Sequence, residues 1–214
     1  MPLIASVLHL DRKDVKALRI TDPYSLHRVV YSLYSDVRTE ADKANSTPSG
    51  ILYADLGGDF HGRKILLLAN RPPESRIAGF FGEVQSREVP ADFLDHTRYR
   101  FKVIINPTRR DNNTRKLMPV KGREAIADWF CSRSQGSWGF TACERHLQVD
   151  SIEVQRFSGK GGHQVTLCQA HLQGELLVQN PELFRKSFQQ GIGRGRTFGC
   201  GLLQLVPLTD NLFD

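Results

Sequence analysis

Tyr24 and His27 stand three residues apart at the start of a segment with helical spacing. At about 100° per residue, Tyr24, His27, Arg28 and Tyr31 fall on one side, while Leu26, Val29, Val30, Leu33 and Tyr34 fall on the other. Two rings so placed in a first turn can touch one another and a shared ligand. The positive end of the helix dipole disfavours imidazolium, so His27 is expected to be neutral and able to take a proton near pH 7. A second feature runs from Gln190 to Pro207, where five glycines between Gly191 and Gly201 are interleaved with Arg194 and Arg196. Such backbone can turn N–H groups outward as an anion-binding concavity, and guanidiniums add charge and bidentate phosphate geometry. A third is Ser158-Gly159-Lys160-Gly161-Gly162, a hairpin turn with a lysine at its tip.

The order of elements limits what the glycines can do. A mononucleotide cradle runs strand, glycines, helix, because the helix start holds the phosphate. Here a helical pattern comes first and a short apolar run, Leu202 to Val206, comes after. The alternatives left are a flexible helix-to-strand connection and an anion-binding concavity of another kind. Arg109 to Lys116, Arg-Arg-Asp-Asn-Asn-Thr-Arg-Lys, has the composition of a solvated loop and equally suits phosphate contacts.

The chain has 214 residues, a net charge of +6 and 40% hydrophobic content, enough for one large or two small domains. Residues 1–95 hold 12 Lys and Arg against 13 Asp and Glu, and residues 96–214 hold 17 against 10, so the basic excess lies in the second half. No apolar run approaches the roughly 18 residues of a membrane span. The N-terminal stretch lacks the basic region of a signal peptide. Cys131, Cys143, Cys168 and Cys200 contain no Cys-x-x-Cys pair, and are expected as reduced thiols in a cytoplasmic protein.

These groups need elements to carry them. Leu3 to Leu10 predicts a strand and Asp11 to Ile20 a polar connection. Asp22 and Pro23 mark a helix start. Ser35 to Gly50 predicts a loop, Ile51 to Leu56 and Lys64 to Ala69 strands, Pro73 to Phe81 a short helix and Val84 to Val89 a strand. In the second half, Tyr99 to Ile105 alternates as a strand. Arg123 to Ser134 predicts a helix with Ala125, Ile126, Trp129 and Phe130 inward, ended by Gly136 to Gly139. Cys143 to Phe157 and His163 to Val178 predict two strands, Asn180-Pro181 a capped helix, and Leu202 to Val206 a last strand. Both halves share a βαββαβ grammar. The expected fold is α+β, two ferredoxin-like (RRM-like) units packed side by side, residues 1–95 carrying Tyr24 and His27 and residues 96–214 carrying the glycine loop. A sheet of this type commonly presents a face or edge to RNA.

With these motifs in view, the chain resembles the CRISPR-associated repeat-processing endoribonucleases, in particular the CasE (Cse-type) branch of type I-E systems. That family's C-terminal loop runs Gly, apolar, Gly, five residues including a basic one, Gly, apolar, Gly. Gly191-Ile192-Gly193, then Arg194 to Phe198, then Gly199-Cys200-Gly201 fits without a gap. The branch's Tyr-x-x-His fits Tyr24 and His27, and its lysine-bearing glycine turn fits Ser158 to Gly162 with Lys160. The resemblance implies an endoribonuclease that works without metal or other cofactor. It implies cutting of precursor CRISPR RNA at the base of the repeat hairpin, with the enzyme then staying on the guide as a subunit of the surveillance complex. Cys143-x-x-His146 and Cys168-x-x-His171 have a spacing that zinc sites use. Both pairs fall in predicted strands, where residues three apart face opposite ways.

RNA supplies its own nucleophile, the 2′-hydroxyl. Cleavage then needs a base, charge neutralisation on the phosphorane and an acid for the leaving 5′-oxygen. On the resemblance, Tyr24, His27 and Lys160 are the catalytic candidates. Arg28, Arg109, Arg110, Ser158, Gly193, Arg194, Gly195, Arg196, Gly199 and Gly201 are the RNA-contact candidates. Which of Tyr24 and His27 handles which proton stays open. The competing reading is a non-catalytic RNA-binding subunit of the same fold.

Overall fold

The computed structural model describes residues 2–45, 47–79 and 81–208. Ser46 and Phe80, inside the expected loop 35–50 and helix 73–81, lie outside the described residues, as do residues 209–214. The chain divides into two compact units, one reaching Val89 and including Thr197–Gly199, the other formed by Pro90–Arg196 and the chain from Cys200 onward.

The first unit runs β1 (Ile4–Leu10), α1 (Arg12–Ala17), α2 (Pro23–Ser32), α3 (Glu40–Ala44), β2 (Ile51–Gly58), β3 (Arg63–Ala69) and β4 (Glu83–Glu88). Its four strands pair antiparallel in the order β2-β3-β1-β4, the strand order of a ferredoxin-like sheet. Ile4, Ser6, Leu8 and Leu10 of β1 alternate inward, and Leu8 and Leu10 share a core with Leu26, Val30 and Leu33. Each apolar side chain so buried contributes about 1.5–3 kcal/mol relative to exposure.

Three expectations are corrected in this unit, the first being that the expected loop 35–50 holds the short helix α3, Glu40–Ala44. The segment after Asp11 is a helix rather than a polar connection, because Asp11 accepts from Asp14 N at 2.7 Å and Asp14 answers at 3.1 Å to form a capping box. Residues 73–79 are not helical. The consecutive prolines Pro72 and Pro73 push their predecessors out of helical backbone, and Ile77 bonds across to Phe81 at 2.9 Å instead.

The second unit runs β5 (Arg98–Ile105), β6 (Thr108–Arg110), β7 (Leu117–Pro119), α4 (Arg123–Arg133), β8 (Phe140–Ala142), β9 (Gln148–Ser158), β10 (Gln164–Val178), α5 (Pro181–Gln190) and β11 (Gln204–Pro207). Its main sheet has the order β11-β5-β10-β8, with β9 also paired to β10. β8 and β9 together take the place of one strand, since both lie on the side of β10 opposite β5. Tyr99, Phe101, Phe130, Phe140 and Phe184 form a buried aromatic core, and Phe101 stacks on Phe130 at 5.5 Å.

Here too the expectations shift. The expected strand 143–157 is broken, and Glu144–His146 forms a 3-10 turn before β9 begins. The opposite-faces argument therefore does not apply to Cys143 and His146. His146 Nδ1 lies 3.2 Å from the Glu175 carboxylate. Helix α4 buries Ile126 and Phe130 while Ala125 is exposed, and it continues through a π turn, Ser134–Trp138, before ending at Gly139. The loop Arg109 to Lys116 is the end of the β6–β7 hairpin.

Candidate active site

Helix α2 begins where Asp22 accepts from Ser25 N at 2.7 Å and Ser25 Oγ accepts from Asp22 N at 3.0 Å, with Pro23 opening the helix. This closed cap sets the phase that turns Leu26, Val29 and Val30 into the core and leaves Tyr24, His27 and Tyr31 half-buried and Arg28 exposed. The His27 ring lies 4.1 Å from Tyr31 and 6.1 Å, stacked, from Tyr24. Phe198 approaches it edge-on at 6.0 Å. Tyr31 is held in turn by a 2.9 Å bond to Ser49 Oγ. Burial pushes the His27 pKa below the usual 6.5, and the Thr197 carbonyl, an acceptor for the ring, opposes part of that shift. Nδ1 of His27 is buried with no hydrogen-bond partner. At neutral pH the ring is an uncharged imidazole, able to accept a proton.

Thr197 and Phe198 belong to the glycine loop, so two residues of that loop furnish one wall of the histidine site. Tyr53 Oη donates to the Thr197 carbonyl at 3.0 Å. Tyr31 is legible in sequence as the residue one turn on from His27. Tyr53 and Thr197 are 144 positions apart and carry no local signal of their meeting.

The other candidates lie in the second unit. Lys160 is exposed and opens a 3-10 turn, Lys160–Gly162, whose closure comes from Gly159 N donating to His163 O at 2.8 Å. Ser158 Oγ accepts from Gln164 Nε2 at 3.0 Å. Arg109 and Arg110 are exposed on β6, and Arg110 donates to the Arg115 carbonyl at 2.9 Å. At the hairpin end, Asp111 accepts from Thr114 and Asn113, which holds its carboxyl below the usual range.

The glycine loop is a hydrogen-bonded structure rather than a flexible connection. Ile192 N donates to Gly201 O at 2.9 Å, Gly201 N to Ile104 O at 2.7 Å and Cys200 N to Gly195 O at 3.2 Å, while Arg194 bridges to Asn106. Arg194 is exposed, and Arg196 donates to the Gln190 carbonyl at 2.9 Å. Gly193 and Gly195 are half-buried, Gly199 and Gly201 buried. Cys200 is sealed beneath them, its thiol pushed up to about 12 by burial, which makes it an inert core group. Among the described residues no group of three or more His, Cys, Asp or Glu is placed to hold a metal ion, and no helix is long and apolar enough to cross a membrane.

The sequence matches the model of the family described as CRISPR associated protein over residues 3–207. The chain belongs to that family. Among curated relatives it is 23% identical over 196 residues to the CRISPR system Cascade subunit CasE of Escherichia coli K12, covering 87% of this chain and 93% of the relative. It is 30% identical over 118 residues to the CRISPR-associated endoribonuclease Cse3 of Thermus thermophilus, covering 51% of this chain and 56% of that one. A solved structure of Cse3 bound to a 19-nucleotide RNA superimposes with a TM-score of 0.78 at 22% identity, covering 97% of this chain and 100% of that one. The fold is therefore shared with that structure, and the CasE branch singled out by the motifs is the one these family relatives occupy.

Proposed function

We propose that this family member is a metal-independent endoribonuclease. It cleaves precursor CRISPR RNA within the repeat hairpin and stays bound to the guide as a subunit of the type I-E surveillance complex. The observation that carries the reading is the neutral, half-buried His27 stacked with Tyr24 at a capped helix start, in a chain whose relatives include a named endoribonuclease. The Escherichia coli relative is a subunit of the CRISPR system Cascade, which supports the assembly role.

The chemistry needs no resident cofactor. His27, lowered in pKa, suits removal of the 2′-hydroxyl proton. The freed 2′-oxygen bonds to phosphorus, the phosphorus–5′-oxygen bond breaks, and the leaving oxygen takes a proton. Tyr24 is the partner for positioning or for the second transfer. Lys160, an exposed ammonium on a glycine turn, supplies charge to the phosphorane. The products are a 2′,3′-cyclic phosphate and a 5′-hydroxyl. Incubation with hairpin repeat RNA in excess chelator should leave cleavage intact. Binding without cleavage, with metal or without, would establish the non-catalytic RNA-binding subunit instead.

Arg28, Arg109, Arg110, Arg194 and Arg196 are the proposed phosphate contacts, together with Ser158 and the loop glycines. Replacing a phosphate-contacting arginine lowers affinity across sequences and reduces the salt slope by about one. Arg109→Ala combined with Arg110→Ala should therefore flatten the dependence of log K on log salt by about two. An unchanged slope removes the β6–β7 hairpin from the footprint.

A further inference from the structure

The first unit contains a side chain that no chemical motif singles out and that nevertheless bonds the backbone carbonyl beside the proposed catalytic ring. Tyr53 is 1% exposed on β2, packed in the core between the sheet and α2. Its phenol ends on the carbonyl of Thr197 at 3.0 Å. The next residue, Phe198, makes the edge contact with His27, and the one after, Gly199, lies directly on the Tyr53 ring. A Cβ at Gly199 would sit 3.0 Å from a Tyr53 ring carbon, so the loop rests on the ring face with no room to spare. A buried phenol must find an acceptor, and many carbonyls would serve for packing alone. The acceptor here is the one that also faces the imidazole.

We propose that Tyr53 is a positioning residue for His27: its hydroxyl fixes the Thr197 carbonyl, and that carbonyl together with Phe198 holds the imidazole in place against Tyr31 on α2. The inference rests on the reading of His27 as the residue that moves a proton. The groups that face the ring are Tyr24 and Tyr31 from its own helix and the Thr197 carbonyl and Phe198 from the loop, with Tyr53 behind the carbonyl. A carbonyl held against the ring favours the protonated form. Releasing that carbonyl should let the imidazole titrate still lower.

The test is Tyr53→Phe in the full chain, which keeps the ring and removes only the hydroxyl. Single-turnover cleavage of a hairpin repeat RNA should fall about three- to tenfold, the worth of one ordinary hydrogen bond, with RNA affinity unchanged. The His27 imidazole, followed by NMR without RNA, should titrate lower than in the wild type. Gly199→Ala, which lifts the loop from the phenol and leaves the core residue in place, should move the titration the same way if the first variant folds poorly. A titration that stays put or rises in the folded variant overturns the proposal and leaves Tyr53 a packing residue. His27→Ala separates the two readings. If it cleaves at the wild-type rate, the catalytic reading fails, whereas wild-type titration in Tyr53→Phe alongside an inactive His27→Ala defeats only the positioning role.

Discussion

His27→Ala should slow single-turnover cleavage of a repeat hairpin by about 10²–10⁴-fold, the usual worth of positioned acid–base help. That range corresponds to about 2.7–5.5 kcal/mol of barrier. RNA affinity should hardly change, since a neutral ring has no charge to give a phosphate and the arginines remain. The pH profile should carry the same signature. Burial lowers the folded pKa below 6.5, so the wild-type rate should decline only once pH drops below that value, as the ring protonates and can no longer accept a proton. The limb should vanish in the alanine variant. Stability has a matching sign. Between the folded pKa and 6.5 the unfolded chain binds more protons, so this ring's effect is neutral above 6.5 and destabilising as pH falls below it. A parallel loss of binding and cleavage would make His27 a contact residue rather than a proton carrier.

The second large effect concerns folding. Gly201→Ala should destabilise the protein by about 3 kcal/mol or more, read from the urea midpoint. Gly201 has φ +87, and a Cβ there would lie 2.3 Å from the Ile192 carbonyl oxygen. That oxygen belongs to fixed backbone: Ile192 N is bonded to Gly201 O, and Gly201 N to Ile104 O on β5. Neither side can give way without breaking the closure of the loop onto the sheet. Gly193 offers the contrast. It has φ +70 with nothing within 4 Å of its missing Cβ, so Gly193→Ala should cost only the left-handed backbone penalty of about 1–2 kcal/mol. Equal costs at the two positions would mean that the loop does not close as described. Three glycines of the motif thus answer different demands, backbone contact at Gly201, ring contact at Gly199 and open space at Gly193.

Local chemistry was legible where it is local. Asp22-Pro23 and Asn180-Pro181 start α2 and α5 because a side-chain cap and a fixed φ act within one turn. The alternation from Tyr99 to Ile105 placed β5, and the face carrying Tyr24, His27 and Tyr31 followed from the helical period. The errors arose where a local signal is masked by composition or where a distant neighbour decides. Helix α1 rests on a reciprocal Asp11–Asp14 cap that a polar composition hides. The expected strand 143–157 left out β8 and ran through Glu144–His146 because that turn contains neither glycine nor proline. The union of Tyr53 with Thr197 depends on how a distant loop returns to the first sheet, which no window of sequence contains.

On the mechanism proposed, the RNA cuts itself with help from an uncharged histidine. The most direct test is a repeat hairpin with a single 2′-deoxy nucleotide at the scissile position, compared with the all-ribose hairpin in excess chelator, with product ends resolved by mass. That mechanism requires equal binding of both RNAs, cleavage of the all-ribose hairpin alone, and fragments ending in a 2′,3′-cyclic phosphate and a 5′-hydroxyl. Cleavage of the deoxy hairpin, or fragments bearing a 5′-phosphate, would contradict it.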